Sequence, residues 1–285
     1  MEMAAQMTIN ALSLSALYVL VALGFALLLN VMNTLNFAHG AIYMVGGYIC
    51  CELSDALGLN QWVSLAASAL GVGLFGLFLE KYCFRPFYGD ISRIVVMSVI
   101  IILVLETTAN VTMGTDEKRI PSFVEGIIRA GGMSVTADRM VTILVSTLLV
   151  IGLSWFIRRS RLGQQMMAVA QEPKGATLQG ISTNRVSAFA CVLGCGLAAV
   201  AGSLMGAILV LSPFMGDYML VKAIQLVILS GIGSLAGILV SGLIIGALDA
   251  VLPVVTSGAV TQTVGIGVII LLLLLRPRGL FGREV

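Results

Sequence analysis

The feature that most constrains this chain is the recurrence of long apolar runs. Seven runs are each long enough to cross the roughly 30 Å of hydrocarbon in a bilayer as a helix. They cover residues 8–30, 61–80, 94–113, 140–157, 187–211, 236–252 and 259–275. Only 11% of the residues are charged, whereas a soluble domain carries about 25%. Lipid must therefore cover much of the surface, and the sequence predicts a multi-pass membrane protein.

Two shorter apolar runs, 38–53 and 219–231, fit either full spans or broken, re-entrant helices. Added to the seven clear spans, they bring the predicted count to about nine. We therefore predict an all-α membrane protein, a polytopic bundle of about nine transmembrane helices in a single domain over residues 1–285. Its longer polar loops are 114–139 and 158–185.

The distribution of basic residues predicts which side of the membrane each loop faces. If the C-terminal segment 276–283 is cytoplasmic, a count of nine spans places loops 81–93 and 158–185 on the same side. These three segments hold eleven of the sixteen Lys and Arg residues, and the opposite loops hold four. Because short cytoplasmic loops carry the excess of basic residues, we predict an N-terminus outside and a cytoplasmic C-terminus.

The predicted outer loop, 114–139, mixes four acidic and four basic side chains around the sequence PSFVEGII. A short amphipathic helix on the membrane face fits this pattern, with Phe123, Ile127 and Ile128 turned towards lipid or protein. A solvated connector fits it equally well.

Small residues recur at a spacing of four along the run 187–211, at Gly194, Ala198, Gly202 and Gly206. They fall on one face of a helix, and such a face lets another helix approach closely within a bilayer. The stripe predicts tight helix packing but carries no information about a solute.

A polar cluster follows the first span directly, in the sequence NVMNTLNFAHG (30–40). Asparagine side chains can bond backbone groups that an interrupted helix leaves free, and glycine lets the chain bend. Such a break is tolerated at membrane depth where protein encloses it or where it lines a water-filled path. We predict that Asn33, Asn36, His39 and Gly40 form a helix break in a translocation pathway. For His39, a capping position at the start of the next helix fits equally well.

We single out three ionisable residues inside apolar runs, where an unpaired charge is costly and a functional role is the first hypothesis. They are Glu106, Lys222 and Asp249, and we assign them to the same predicted pathway. Lys222 has two candidate partners, Asp217 nearby in sequence and Asp249 one span further on. A structural ion pair and a contact with a solute both stay open for Lys222.

The sequence offers little to support an enzyme. The phosphate-binding pattern Gly-x-x-x-x-Gly-Lys-Ser/Thr is absent. The single histidine, His39, lies in the helix break, so neither a Ser/His/Asp set nor a metal site is predicted. We expect a transport subunit without a cofactor of its own. Two classes fit: a permease driven by a partner ATPase, and a self-sufficient secondary transporter or channel for a small solute.

The loop 158–185 is the long polar stretch on the predicted inner side. Pro173 suits the first turn of a short helix, and Gly180 suits the position just past its end. Such a helix fits either a docking point for a partner or a simple tie between two spans.

Four parts of the sequence resemble the membrane permeases of branched-chain amino acid ABC importers, the LivH-like family, and they occur in the family's order. They are LNFAHGAIYMVGGY (35–48), FRPFYGDISRIVVMSVI (84–100), MAVAQEPKGATLQGISTNRV (167–186), and VKAIQLVILSGIGSLAGILVSGLIIGALDAV (221–251) with LLLRPRGLFG (273–282). Because these parts are unrelated to one another, their combination is specific.

The resemblance implies an importer of the bacterial inner (cytoplasmic) membrane that works by alternating access. Two permease subunits, either homologous chains or copies of this one, would form the path. A periplasmic solute-binding protein would deliver the solute, and two ATPase subunits, which bind ATP and Mg, would push on the inner loop. By position, the resemblance assigns six residues to this ATPase coupling loop: Ala168, Ala170, Glu172, Ala176, Gly180 and Arg185. It implies no nucleic-acid partner.

The implied cargo is a branched-chain amino acid or a related small polar solute. This chain departs from the family's pattern at two positions. Glu106 stands where the family usually has an amide or a neutral residue, and Asp249 stands where it often has Glu. The added carboxylate keeps urea, amides and other amino acids as alternative cargo.

Overall fold

A computed structural model describes residues 2–130, 133–231, 233–255, 258–276 and 279–281. These residues form eleven α-helices and one antiparallel hairpin. The helices are α1 (Glu2–Met32), α2 (His39–Asp55), α3 (Gln61–Phe78), α4 (Ile91–Met113), α5 (Ala137–Arg159), α6 (Arg161–Gln171), α7 (Pro173–Leu178), α8 (Thr183–Ile208), α9 (Met215–Ser230), α10 (Leu235–Val255) and α11 (Gly258–Leu275). The hairpin pairs β1 (Ile127–Ala130) with β2 (Met133–Thr136), and a π-helical turn (Leu79–Phe84) and a 3-10 turn (Arg85–Phe87) extend α3.

Six helices in this described part of the chain are long and apolar enough to cross a bilayer: α1, α3, α4, α5, α8 and α10. They match six of the seven predicted long spans, which confirms the multi-pass helical class. The seventh run forms α11, and the two ambiguous runs form the short helices α2 and α9. The total of nine spans and the orientation of the termini stay predictions. Residues 277–278 and 282–283 of the C-terminal basic segment lie outside the described residues.

Two parts of the chain repeat one arrangement, in which a long helix, a connection of six residues and a short helix follow one another. The first part is α1, residues 33–38 and α2, and the second is α8, residues 209–214 and α9. The long helices run antiparallel, because the end of α1 lies beside the start of α8, while the middle of α1 lies beside the end of α8. The two parts therefore form an inverted structural repeat, a plan that recurs in membrane transporters.

The two connections fold alike, with Asn36 and Ser212 in equivalent positions. In the first, His39 N donates to Asn36 O at 3.3 Å; in the second, Met215 N donates to Ser212 O at 3.1 Å. The side-chain oxygens of Asn36 and Ser212 each accept a bond from the amide two residues further on. Short polar side chains close such turns by taking the place of a backbone acceptor.

Glycines allow the closest helix contacts in the core. A Cβ on Gly194 of α8 would come within 2.9 Å of the carbonyl oxygen of Gly24 on α1, and a Cβ on Gly202 would overlap the Tyr43 carbonyl on α2. The small-residue stripe predicted in α8 is therefore a packing surface. At the starts of α2 and α9, Gly40 and Gly216 pack backbone to backbone in the same way.

The predicted outer loop does not form the amphipathic helix considered above. Residues 127–130 and 133–136 pair in the hairpin, with Ile127 opposite Thr136. β-Branched residues favour a strand over a helix here. Phe123 is buried, with its ring centroid 5.4 Å from that of Trp62, whereas Ile127 is exposed.

Candidate functional site

Four polar side chains from three helices meet inside the bundle: Tyr18 from α1, Tyr218 and Lys222 from α9, and Asp249 from α10. The hydroxyls of Tyr18 and Tyr218 donate to Asp249 Oδ2 at 2.8 and 3.0 Å. Lys222 Nζ lies 2.9 Å from Asp249 Oδ1 and 2.7 Å from Oδ2. The partner of Lys222 is therefore Asp249 and not Asp217, the other candidate from the sequence.

This buried ion pair has its hydrogen bonds in place. The Lys222 and Asp249 side chains are only 5% and 6% exposed, so their desolvation is costly unless good geometry offsets it. The Tyr18 and Tyr218 rings add cation–π contacts, with their centroids 5.9 and 5.2 Å from Lys222 Nζ. Tyr218 and Lys222 reach the same carboxylate because residues four apart share one face of a helix.

The cluster borders a cavity of about 460 Å³, a size typical of small-molecule sites. Its lining comprises Leu14, Tyr18, Tyr43, Met205, Leu209, Val210, Ser212, Met215, Tyr218, Met219 and Asp249. The Tyr43 side chain is fully buried, and its hydroxyl has no hydrogen-bond partner among the described residues. We call this space the central cavity.

The predicted helix break lies between α1 and α2, and two of its polar residues are buried. Asn36 Oδ1 accepts from the backbone amide of Ala38 at 3.0 Å. The His39 ring does not cap its own helix; its Nε2 lies 3.2 Å from the carbonyl oxygen of Val21 on α1. His39 therefore packs against α1, and Gly40 packs against the start of α9. Asn36, His39 and Gly40 do not line the central cavity.

Asn33 lies apart from these residues, at a second cavity of about 250 Å³ near the end of α1. Its backbone has a φ of 50°, in the left-handed region that asparagine tolerates better than most residues. Tyr88, Lys174 and Thr177 also line this second cavity, together with residues at the start of α8. The cavity therefore connects the helix break with α7.

A second buried charge, Glu80, was not predicted from the sequence. Arg85 Nη2 lies 2.6 Å from Glu80 Oε2 and Arg85 Nε donates to Oε1 at 3.1 Å, while the Tyr88 hydroxyl donates to Oε1 at 2.9 Å. Burial, with the neighbouring Glu80 carboxylate, raises the pKa of Tyr88 above its usual range. Arg85 also reaches the Asn184 carbonyl at 3.4 Å, so the cluster joins the end of α3 to the start of α8.

Glu106 does not join the Lys222–Asp249 pair. It is buried on α4, its Oε1 has no hydrogen-bond partner in the part of the chain that the structure describes, and the Asp217 carboxyl group lies close enough to interact with it. Glu106 lines neither cavity. Its assignment to a pathway stays a prediction.

The inner loop contains the short helix that the sequence predicted. Pro173 begins α7, and Gly180 follows its end with a φ of 79°. Of the six residues assigned to the coupling loop, Ala176 is buried, Ala168 is half-buried, and Ala170, Glu172, Gly180 and Arg185 are exposed. Leu178 at the end of α7 is 90% exposed, so this end of the bundle presents an apolar side chain to its surroundings.

A multi-pass helical bundle with an inverted repeat, helix breaks and a buried ion pair beside a cavity has the architecture of a membrane transport protein. Residues 7–274 match the family model described as branched-chain amino acid transport system / permease component. The chain belongs to this family, which confirms the resemblance found in the sequence. It is a permease subunit and not an enzyme.

Individual relatives agree with this assignment. The chain is 32% identical to the high-affinity branched-chain amino acid transport system permease protein LivH of Escherichia coli K12, over 98% of this chain and 95% of LivH. It is 25% identical to the permease protein LivM of the same organism, over 70% of this chain and 52% of LivM. The solved structure of PsaBC from Streptococcus pneumoniae in complex with Fab shares the fold, with a TM-score of 0.55 and 14% identity over 94% of this chain and 91% of that one.

Proposed function

We propose that this chain is the membrane permease subunit of an ATP-driven ABC importer in a bacterial inner membrane, and that its cargo is a branched-chain amino acid. The similarity to LivH along nearly the whole of both chains supports the cargo class. The observation that carries the ATP-driven mechanism is the short helix α7 within the polar loop 158–185. At its end, Leu178 is exposed to the surroundings.

In this proposal, two ATPase subunits hold ATP and Mg, and one of them docks on α6 and α7. A second permease subunit completes the path, and the similarity to LivM favours a homologous chain as that subunit. A periplasmic solute-binding protein docks at the opposite end of the bundle, where the β1–β2 hairpin lies. The N-terminus is then outside and the C-terminus cytoplasmic, as the basic residues predict.

A movement of α7 can reach the helix break directly, because both border the second cavity. Ala176 is the buried residue of α7, and its neighbour Thr177 lines the second cavity together with Asn33 at the end of α1. A shift of α7 driven by closure of the ATPases therefore changes the walls of the second cavity first. Alternating access follows if α1 and α8, the two long helices of the repeat, tilt against each other.

The docking role of α7 is tested by co-purification from membranes of the native host. Leu178→Asp should abolish recovery of an ATPase subunit with the tagged chain, because a carboxylate replaces the apolar contact at the centre of the proposed interface. The matched control is Leu57→Asp. Leu57 is 66% exposed but follows α2 at the other end of the bundle, so this variant should retain the ATPase.

Two results would contradict the proposal. If Leu178→Asp retains the ATPase as well as Leu57→Asp does, α7 is not the docking helix. If the wild-type chain recovers no ATPase and transports solute alone in liposomes, the chain is a self-sufficient secondary transporter, and Glu106 and Asp249 become the candidates for ion coupling.

A further inference from the structure

The Tyr43 hydroxyl is a buried polar group that the described residues leave unsatisfied. Leaving such a group without a partner costs about as much as a lost hydrogen bond, so each case in a folded protein needs a reason. Tyr43 is among the residues that line the central cavity, and its side chain, the hydroxyl included, is fully enclosed. A molecule in the cavity can supply the missing partner once a neighbouring side chain gives it access to the hydroxyl.

The charges around the central cavity balance. Asp249 lines it, and Lys222 lies directly behind, bonded to both oxygens of that carboxylate. Among the described residues that line the cavity or bond its lining, these two are the charged ones. A solute with a net charge would find no counter-charge at this site, whereas a zwitterion carries one group of each sign.

Two helix starts converge next to the cavity. α2 begins at His39 and α9 at Met215, and their first turns touch through Gly40 and Gly216. A helix N-terminus carries partial positive charge and favours an anionic group. Met215, the first residue of α9, and Tyr43, one turn into α2, both line the cavity. The part of the cavity next to these two helix starts therefore suits a carboxylate beside the unpartnered Tyr43 hydroxyl.

The remainder of the wall is apolar and flexible. Met205, Met219 and Leu14 also line the space. Methionine side chains adapt to irregular apolar shapes, so this wall suits an aliphatic side chain. Urea offers no apolar surface to cover it, and the smallest amides offer little.

From these four observations we propose that the central cavity is the solute-binding station of the permease and that it takes a zwitterionic α-amino acid with an aliphatic side chain. The solute's carboxylate accepts from Tyr43 near the start of α9, its ammonium group faces Asp249, and its side chain lies against the methionines. This inference rests on the proposed function and adds the place and the chemistry of recognition.

The test uses membrane vesicles that contain the complete importer and photo-leucine, a diazirine analogue of leucine. Illumination during ATP-driven uptake should label peptides that contain Met205 or Met219, and excess L-leucine should abolish the labelling while urea should not. Tyr43→Phe should lower both the labelling and the maximal uptake of L-leucine about tenfold, the factor expected for one hydrogen bond.

The matched control is Tyr48→Phe on the same helix. The Tyr48 hydroxyl is also buried without a partner among the described residues, but Tyr48 does not line the central cavity. Its variant should keep wild-type labelling and uptake. Both variants delete only an unbonded hydroxyl, so both should fold.

Three outcomes would overturn the inference while leaving the proposed function intact. Wild-type uptake of L-leucine with labels only on other peptides would place the station elsewhere. Equal uptake and labelling in the Tyr43→Phe and Tyr48→Phe variants would remove the role of Tyr43. Equal competition by urea would refute the solute class. A wild-type importer that shows no ATP-driven uptake of L-leucine would instead overturn the proposed function, and the inference with it.

Discussion

Replacing Arg85 by methionine should destabilise the protein, because it leaves the Glu80 carboxylate buried without a counter-charge. Glu80 is fully buried and accepts two bonds from Arg85, at 2.6 and 3.1 Å. Methionine keeps much of the apolar stem that arginine packs against its neighbours, so the change removes mainly the charge. Of the bonds described to Glu80, the one from Tyr88 would remain.

The expected loss follows from the burial of the two partners. Breaking a buried ion pair by removing one member costs about 3–5 kcal/mol. The Arg85 side chain is 32% exposed, so water partly screens the pair and we expect the lower end, about 3 kcal/mol. The double variant Arg85→Met with Glu80→Gln should recover most of this loss, because no buried charge remains.

The free energy of unfolding is measured by denaturant titration of the purified chain in lipid nanodiscs, with the wild type, the single variant and the double variant in parallel. The control is Arg93→Met. Arg93 pairs with Asp90 at the surface, where the side chains are 70% and 43% exposed, and such pairs contribute about 0.2–1 kcal/mol. The reasoning fails if Arg85→Met is as stable as Arg93→Met, or if Glu80→Gln does not rescue it.

Two further predictions concern glycines. Gly202→Val should reduce the yield of folded protein, because its Cβ would overlap the Tyr43 carbonyl and overpacking costs about 1–3 kcal/mol or more; Gly71→Val, with open space around its Cβ, should keep the wild-type yield by size-exclusion chromatography. Gly180→Pro should abolish ATP-driven uptake at normal membrane levels, because proline cannot adopt the φ of 79° that ends α7. Gly58→Pro also replaces a glycine of positive φ, 62°, but at the other end of the bundle, and should retain uptake. Equal results within either pair would refute the corresponding argument.

The long spans could be predicted because hydrophobic length alone decides whether a helix can cross a bilayer. The short helix α7 was predicted as well, since proline and glycine act locally at helix ends. Local signals did not predict the secondary structure of the outer loop. There, the strand preference of Ile127 and its neighbours competed with an amphipathic helix pattern.

The candidate site was only partly predictable. Lys222 and Asp249 stand out in apolar runs, but their pairing depends on how α9 and α10 pack, and sequence spacing alone left Asp217 as an alternative. Tyr18 and Tyr43 gave no signal, because a tyrosine in an apolar run is ordinary until the fold shows whether its hydroxyl has a partner. Glu80 ends its apolar run, where a charged residue usually marks the boundary of a span. Arg85, about one and a half turns later, was the one sequence feature that indicated an ion pair.

The inverted repeat explains why only one of two equivalent breaks was visible in the sequence. Residues 33–40 read NTLNFAHG and residues 209–216 read LVLSPFMG; they share the final glycine and a short polar residue four positions before it. Asn36 and Ser212 close the same turn through different side chains. The fold needs only an acceptor at this position and a glycine where the short helices meet, so the second break has the same shape without asparagines.

The same geometry bears on transport. The central and second cavities border α1 near Tyr18 and near Asn33, fifteen residues or about 22 Å of helix apart. Between them, α1 meets α8 at Gly24 and Gly194, where the two backbones approach closely beside the side chains of Leu28 and His39. Small residues at such a contact let two helices cross at short distance within a bilayer. In the proposed mechanism, the helices therefore pivot at this contact, and one cavity widens as the other narrows.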